Sequence, residues 1–349
     1  MKQQRWFLSL TTTLLLTTLQ GCLDIATDTV IHKDGSIERS VMIEGDSVKI
    51  YERRFPIALG GSWQESIEKI DSRKYRYTAS QNFPDVAALN KALTGNSDTT
   101  LGISASLEKR FEWFFTVYRY SERHASFNKF NTLPLTDYLT QAQIDLLFNK
   151  KSGEQETDTL AQDEAERNIE EWLTKNIFEA FFAEFLAGVK SLNTPSLSPD
   201  VVMEKKEELF HSSGEKLSNS DLEPIQRIFE ETLGRDVTRA AIALNDEGFR
   251  KFKRRLAFQQ QMFENSYRAT AEMPGLIVGT NAATVEGNSV TWEDFILHGV
   301  ISDYDLWVES REVNWWMIYL TGVVIILGFL ALIIPLFWKR GVAIPRKIR

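Results

Sequence analysis

The segment from Trp315 to Trp338, WWMIYLTGVVIILGFLALIIPLFW, runs 24 residues without a charge. Wound as an α-helix it is about 36 Å long, enough to cross the hydrocarbon core of a bilayer with some tilt. A core helix of a soluble protein rarely runs so long without a polar face, so the pattern predicts a transmembrane helix over 315–338. Trp315, Trp316 and Tyr319 stand at one end and Phe337 and Trp338 at the other. Amphipathic rings settle at the two membrane interfaces in this way. Pro335 falls in the last turn, where a missing backbone donor costs little.

Five basic residues come after it: Lys339, Arg340, Arg346, Lys347 and Arg349, with no acid to oppose them. Positive charge beside a span marks the cytoplasmic side, so the tail 339–349 is expected inside and the body outside. The N-terminus points the same way. Lys2 and Arg5 precede an apolar run from Trp6 to Thr18, too short to span a bilayer, and Leu19-Gln20-Gly21-Cys22 comes next. This is the layout of a secretory signal, expected over 1–21 with cleavage between Gly21 and Cys22. Leu19 to Cys22 resembles a bacterial lipobox, which implies an acyl group of the palmitate type on Cys22. Cys22 is also the only cysteine in the chain. An exported body without cysteine pairs must be held by its core rather than by disulfides. Lipid and helix together place the protein at the bacterial cytoplasmic (inner) membrane, with its body in the periplasm. Leu23 after the cysteine favours the outer membrane in a Gram-negative cell, and the spanning helix outweighs it.

The chain carries a formal charge of −8; without two positive charges in the leader and five in the tail, the body carries −15. An acidic surface argues against nucleic acid and anionic headgroups as partners. Over 22–130 the pattern is β-rich. Lys33-Asp34-Gly35-Ser36 separates two strand-like runs, and Ile37, Val41 and Ile43 share one face of the second. In LEKRFEWFFTVYRYSER, Leu107, Phe111, Trp113, Phe115 and Val117 alternate with Glu108, Arg110, Glu112 and Thr116. That regularity predicts one strand whose buried face carries Leu107, Phe111, Trp113, Phe115 and Val117. Phe114, Tyr118 and Tyr120 make the other face aromatic too.

Over 131–273 the period becomes helical, with a polar link at 151–160. Glu164 to Leu192 reads as one long helix with Ile169, Trp172, Leu173, Phe181 and Phe185 on its apolar stripe. Ser198 or Asp200 is a cap for the next helix, and shorter helices are expected at about 200–211 and 221–233. Asp236 to Met273 reads as a second long helix with Phe249, Phe252, Leu256, Phe263 and Tyr267 inward. Strands return over 274–313, with Gly287-Asn288 as a hairpin turn and YDLWVESREV leading into the membrane helix. The fold class is therefore α+β: N- and C-terminal segments share an antiparallel sheet, and a large helical lobe is inserted between them.

Chemistry is scarce. His32, His124, His211 and His298 show no zinc-ligand spacing, and no phosphate loop, nucleophile elbow or dinucleotide fingerprint is present. Glu108 and Glu112, with Arg110 between, alternate as a solvated strand face does. Arg250, Lys251, Lys253, Arg254 and Arg255 form a basic helical cluster that suits solvent or an acidic partner. No catalytic residue, metal site or cofactor emerges.

The block MPGLIVGTNAATVEGNSVTW (Met273 to Trp292) and the hairpin DTVIHKDGSIERSVMI resemble patterns in LppM-like, or DUF3153-like, membrane-anchored bacterial lipoproteins. The resemblance implies an envelope lipoprotein and carries over no catalytic residue. The expected function is a non-enzymatic, membrane-tethered binding or scaffolding module, with the bilayer and another envelope or membrane protein as partners. The alternatives are an envelope hydrolase with a scattered site, or a lipid- or small-ligand-binding module using the aromatic helical lobe.

Overall fold

The computed structural model describes residues 22–340 except 60–61, 96–97, 149–158, 193, 195–196, 217–221 and 294, with backbone alone at 159, 215, 295–297 and 335–340. The expected signal peptide over 1–21, Gly21 included, and most of the 151–160 link lie outside the described residues. So do the side chains of Phe337, Trp338, Lys339 and Arg340, and all of Arg346, Lys347 and Arg349.

Strand β1 (Asp24–Ile31) turns at Asp34-Gly35 into β2 (Ile37–Asp46), and the two pair antiparallel from Asp24↔Glu44 to Ile31↔Ile37. The Asp34 carboxylate ties the turn by accepting from Ser36 N at 2.9 Å and Ser36 Oγ at 2.6 Å. After the short helix α1 (Ser47–Tyr51) come β3 (Gln64–Lys69) and β4 (Lys74–Phe83), which extend the sheet beyond β2. Helix α2 (Val86–Ala92) leads to a second hairpin, β5 (Ile103–Glu112) and β6 (Phe115–His124).

That hairpin corrects the reading of residues 107–123 as one strand. The chain reverses at Trp113-Phe114, with Trp113 at φ 51°. The turn is aromatic and carries no Gly, Asn, Asp or Pro, which hides it from sequence. The expected face holds at Val117, which is buried, and at Leu107, which packs on the core, but on β6 the inward side chains are mainly the alternate set. Thr116, Tyr118, Tyr120, Glu122 and His124 point inward, while Phe111, Trp113, Phe114 and Phe115 are 55%, 54%, 39% and 40% exposed.

The middle of the chain is helical: α3 (Gln141–Phe148), α4 (Thr159–Leu192), α5 (Pro199–Glu204), α6 (Lys206–Ser213), α7 (Glu223–Leu233), α8 (Arg235–Leu244) and α9 (Asp246–Glu264). Ser198 caps α5, its hydroxyl accepting from Val201 N at 3.3 Å. The single helix expected over Asp236–Met273 is three elements. Asn245 leaves helical geometry (φ −117°, ψ 39°) and splits it, its amide donating to Glu184 O and Oε2 at 2.9 and 2.7 Å. The last part is strand β7 (Ser266–Glu272), so Tyr267 is buried on a strand rather than on a helix.

Strands β8 (Leu276–Thr280), β9 (Thr284–Glu286), β10 (Ser289–Glu293) and β11 (Tyr304–Val313) come next, then helix α10 (Trp315–Arg340). One sheet has the order β3-β4-β2-β1-β7-β10-β9; the other is β5-β6-β11-β8. N- and C-terminal segments thus pair in both sheets. The first sheet is mixed, because β1 runs parallel to β7 from Asp24↔Ser266 to Val30↔Glu272. The chain crosses between sheets at Met273-Pro274-Gly275. Gly275 sits at φ +85°, and a Cβ there would lie 2.3 Å from Arg311 O, so only glycine fits the crossing.

Both sheets contribute to one apolar core, with Ile25, Val41 and Ile43 from the first and Tyr118, Tyr120, Leu306 and Val308 from the second. A second core, rich in phenylalanine, fills the helical lobe: Phe178, Phe181, Phe185, Phe229, Phe249 and Phe252. Helix α4 serves both, with Trp172 in the β core and Phe178 to Val189 in the lobe. The joint is polar and satisfied. Asn176, fully buried, accepts from Thr132 N (2.7 Å) and Leu133 N (2.8 Å) and donates to Trp172 O (2.8 Å).

Candidate functional site

Helix α10 leaves the body directly from β11, and the junction is Asn314. Its carbonyl accepts from Met317 N at 2.9 Å and Ile318 N at 3.2 Å, opening the helix. Its other groups hold the β5–β6 turn. Asn314 N donates to Phe114 O (2.8 Å), Asn314 Nδ2 to Trp113 O (3.1 Å), and Thr116 Oγ1 to Asn314 Oδ1 (2.9 Å). Trp113 Nε1 reaches Thr321 Oγ1 at 3.2 Å, and the Phe111 ring stacks on Trp316 with centroids 6.0 Å apart. The hairpin tip therefore lies alongside the first two turns of α10. Trp315, Trp316 and Tyr319, the expected interface residues, are at this pole and largely exposed. From Trp315 to Ile334 the helix is long and apolar enough to cross a membrane, and 6% of that segment is buried.

Cys22 is exposed and lies elsewhere. Leu23 beside it is fully buried, its N donating to Asn265 Oδ1 at 2.9 Å. The opposite end of β1 approaches α10: Lys33 in the β1–β2 turn pairs with Glu312 and receives Lys109 Nζ on its carbonyl at 2.7 Å. Eight strand residues put about 23 Å between the two ends of β1. The cysteine and the helix are thus at opposite poles of the sheet.

A buried charged cluster lies between the sheets. Arg39 on β2 and Glu122 on β6 are 1% and 3% exposed and meet through Nη1–Oε2 at 2.5 Å and Nη2–Oε1 at 3.1 Å. Thr29 Oγ1 accepts from Arg39 at 3.0 Å; Tyr120 OH donates to Glu122 Oε2 at 2.9 Å; His124 Nε2 is 2.8 Å from Glu122 Oε1. Burial alone raises the Glu122 carboxyl, but the Arg39 guanidinium more than reverses this and holds it well below the usual carboxylate range. Burial, reinforced by Glu122, pushes the Tyr120 phenol well up. The two charges answer each other across the sheets, while the buried Arg39 Nε makes no hydrogen bond; the pair joins the two sheets.

The sequence contained a signal for one half of it, the buried position of Arg39. Ile37, Val41 and Ile43 share an apolar face, and Arg39 occupies the missing position of that stripe.

The other sequence-picked polar residues are dispersed. Arg110 pairs with Glu112 at 3.6 Å on an exposed strand face. In the basic cluster, Arg250 pairs with Asp246 (2.7 Å) and Glu247 (2.9 Å), and Arg255 with Asp98 (2.7 Å). His298 stacks on Tyr304 with centroids 4.5 Å apart, and burial lowers its pKa. Among the described residues no three His, Cys, Asp or Glu side chains gather as a metal site would need. A shallow groove of about 400 Å³ crosses the outer face of the four-stranded sheet, lined by Ser104, Ser106, Arg119, Arg123, Asp305 and Trp307. Its arginines are engaged, Arg123 with Asp303 at 2.9 Å and Arg119 over the Trp307 ring at 5.0 Å.

No family model and no curated protein matches the chain. Among solved structures it is similar to the folded domain of LppM from Mycobacterium tuberculosis, at 11% identity and a TM-score of 0.31, over 86% of this chain and 95% of that one. The relation is weak. It carries no argument for fold or function.

Proposed function

We propose that the chain is a bacterial envelope protein tethered by α10, whose extracytoplasmic body is a non-enzymatic binding or scaffolding module. One observation carries this reading: an apolar helix of 26 residues projects from a well-packed body that leaves it almost uncovered. Each large apolar side chain loses about 1.5–3 kcal/mol when left in water, so such a run in solvent costs on the order of 10 kcal/mol or more. A bilayer removes that cost, and α10 is about 39 Å long, enough to cross one. The five basic residues after Trp338 support a cytoplasmic tail and hence an external body. The lipobox-like Leu19 to Cys22 supports export and lipidation at Cys22. The Arg39–Glu122 pair, each charge answered by the other between the sheets, supports a structural role for that cluster. A body held at a membrane meets neighbouring membrane proteins at raised effective concentration, which suits a scaffold.

The test is topological. With a reporter fused after Arg349, activity is expected on the cytoplasmic side only, and the protein is expected to resist carbonate extraction. Activity on the external side, or release by carbonate, refutes the tether. Mass spectrometry of the mature N-terminus tests lipidation separately: an unmodified Cys22 removes the lipid and leaves the helix in place.

A further inference from the structure

We infer that the β5–β6 hairpin tip is a second membrane attachment, inserting its aromatic side chains into the interfacial layer of the bilayer that α10 crosses. The inference rests on the reading of α10 as a span. Phe111, Trp113, Phe114 and Phe115 form an exposed aromatic tip on a sequence that otherwise alternates with charge. Left in water, this patch is a liability for a soluble body. Its occupant is set by its neighbours. Trp113 Nε1 bonds Thr321, the seventh residue of α10, which lies about 9 Å along the axis from Trp315. Phe111 stacks on Trp316, one of the rings expected at the interface. A tip tied to those residues stands at the depth they stand at. Leu276, 72% exposed, is paired with Arg311 near the same end of β11.

The chemistry suits the interface rather than the hydrocarbon. Trp and Phe favour the headgroup boundary, where an indole keeps a polar partner. Lys109, Arg110 and Glu112 flank the tip and remain at headgroup level, with Arg110 and Glu112 paired at 3.6 Å. Asn314 clasps the turn to the helix start, so the tip cannot swing away without breaking three hydrogen bonds. The consequence is orientational. One helix leaves a body free to tilt and spin about its stalk; a helix and a hairpin together fix it.

The experiment uses the full chain carrying Cys22→Ser, reconstituted at no more than one copy per vesicle of phosphatidylethanolamine and phosphatidylglycerol. An environment-sensitive fluorophore is attached at Phe114→Cys, at Val324→Cys within the helix, or at Val48→Cys on α1, and quenched with spin-labelled lipids. Expected is blue-shifted, lipid-quenched emission at positions 114 and 324, with the shallow quencher stronger at 114 and the deep one at 324, and aqueous emission at 48. Lipid quenching at 324 with aqueous emission at 114 overturns the inference and leaves the span standing. Aqueous emission at 324 overturns both. Blue-shifted emission at 114 that no lipid quenches assigns the tip to a protein contact and equally overturns it. If the label at 114 disturbs folding, judged by circular dichroism, Phe115→Cys gives the same readout.

Discussion

Replacing Glu122 with glutamine removes one charge from the pair that joins the two sheets and changes almost no volume. Arg39 then stays 1% exposed, with its charge uncompensated among apolar side chains and Thr29. Breaking a buried pair by removing one partner costs about 3–5 kcal/mol. For a body of this size each kcal/mol lowers the melting temperature by about 2 °C, so Glu122→Gln is expected to melt about 6–10 °C below the parent. The measurement is a thermal melt of the full chain in detergent, monitored by near-ultraviolet circular dichroism. Replacing both partners with apolar residues, Arg39→Met with Glu122→Leu, is expected to recover most of the loss, because neither charge is then buried alone. The acid side has a defined sign. The folded carboxyl titrates well below its unfolded value near 4.3, so its stabilisation is full above that value and is lost as pH falls through the folded one. The gap between parent and Glu122→Gln therefore stays constant from pH 7 to about 5 and narrows below about 4.5. A Glu122→Gln melt within about 2 °C of the parent at pH 7 refutes the argument, since the pair would then not be desolvated.

Three further outcomes are open to direct measurement. Gly188→Ala places a Cβ 2.0 Å from Ala241 O where α4 meets α8; the clash outweighs the roughly 1 kcal/mol gained in helix propensity, and a net loss of about 2 kcal/mol is expected in the melt. Asn176→Leu strands the backbone donors of Thr132 and Leu133 and is expected to cost about 3 kcal/mol, with faster hydrogen exchange at those two amides. Asn314→Ala removes the side-chain bonds to Trp113 O and Thr116 Oγ1, worth about 1 kcal/mol together, and is expected to speed exchange in the β5–β6 turn about fivefold without moving the global melt.

The order of strands, helices, strands was legible because each period is sustained. Asp34-Gly35 and Gly287-Asn288 announced their turns chemically, and the stripe of α4 ran long enough to be unmistakable. The errors arose where those signals conflict. Trp113-Phe114 turns without a turn residue, because its tie to Asn314 holds a bend that its own composition disfavours. The alternation around it is real and Leu107 and Val117 do pack inward, but Phe111, Trp113 and Phe115 fall at the tip, beyond the core and beside α10. The helix expected over 236–273 failed because Asn245 interrupts it through a tertiary contact with Glu184, and because the short strand β7 has no alternation strong enough to outvote the helix before it. The pair Arg39 and Glu122 lies 83 residues apart, a juxtaposition that no local pattern encodes.

Strand β1 also settles how two fastenings could divide their labour. Leu23 just before it lies beside Asn265 and Lys33 just after it pairs with Glu312 next to α10, and the strand itself spans about 23 Å. A fatty chain reaches about 15 Å, half the thickness of a hydrocarbon core. Were Cys22 to carry a lipid and β1 to stand along the membrane normal, that lipid would fall short of the bilayer that α10 crosses unless β1 left its neighbours.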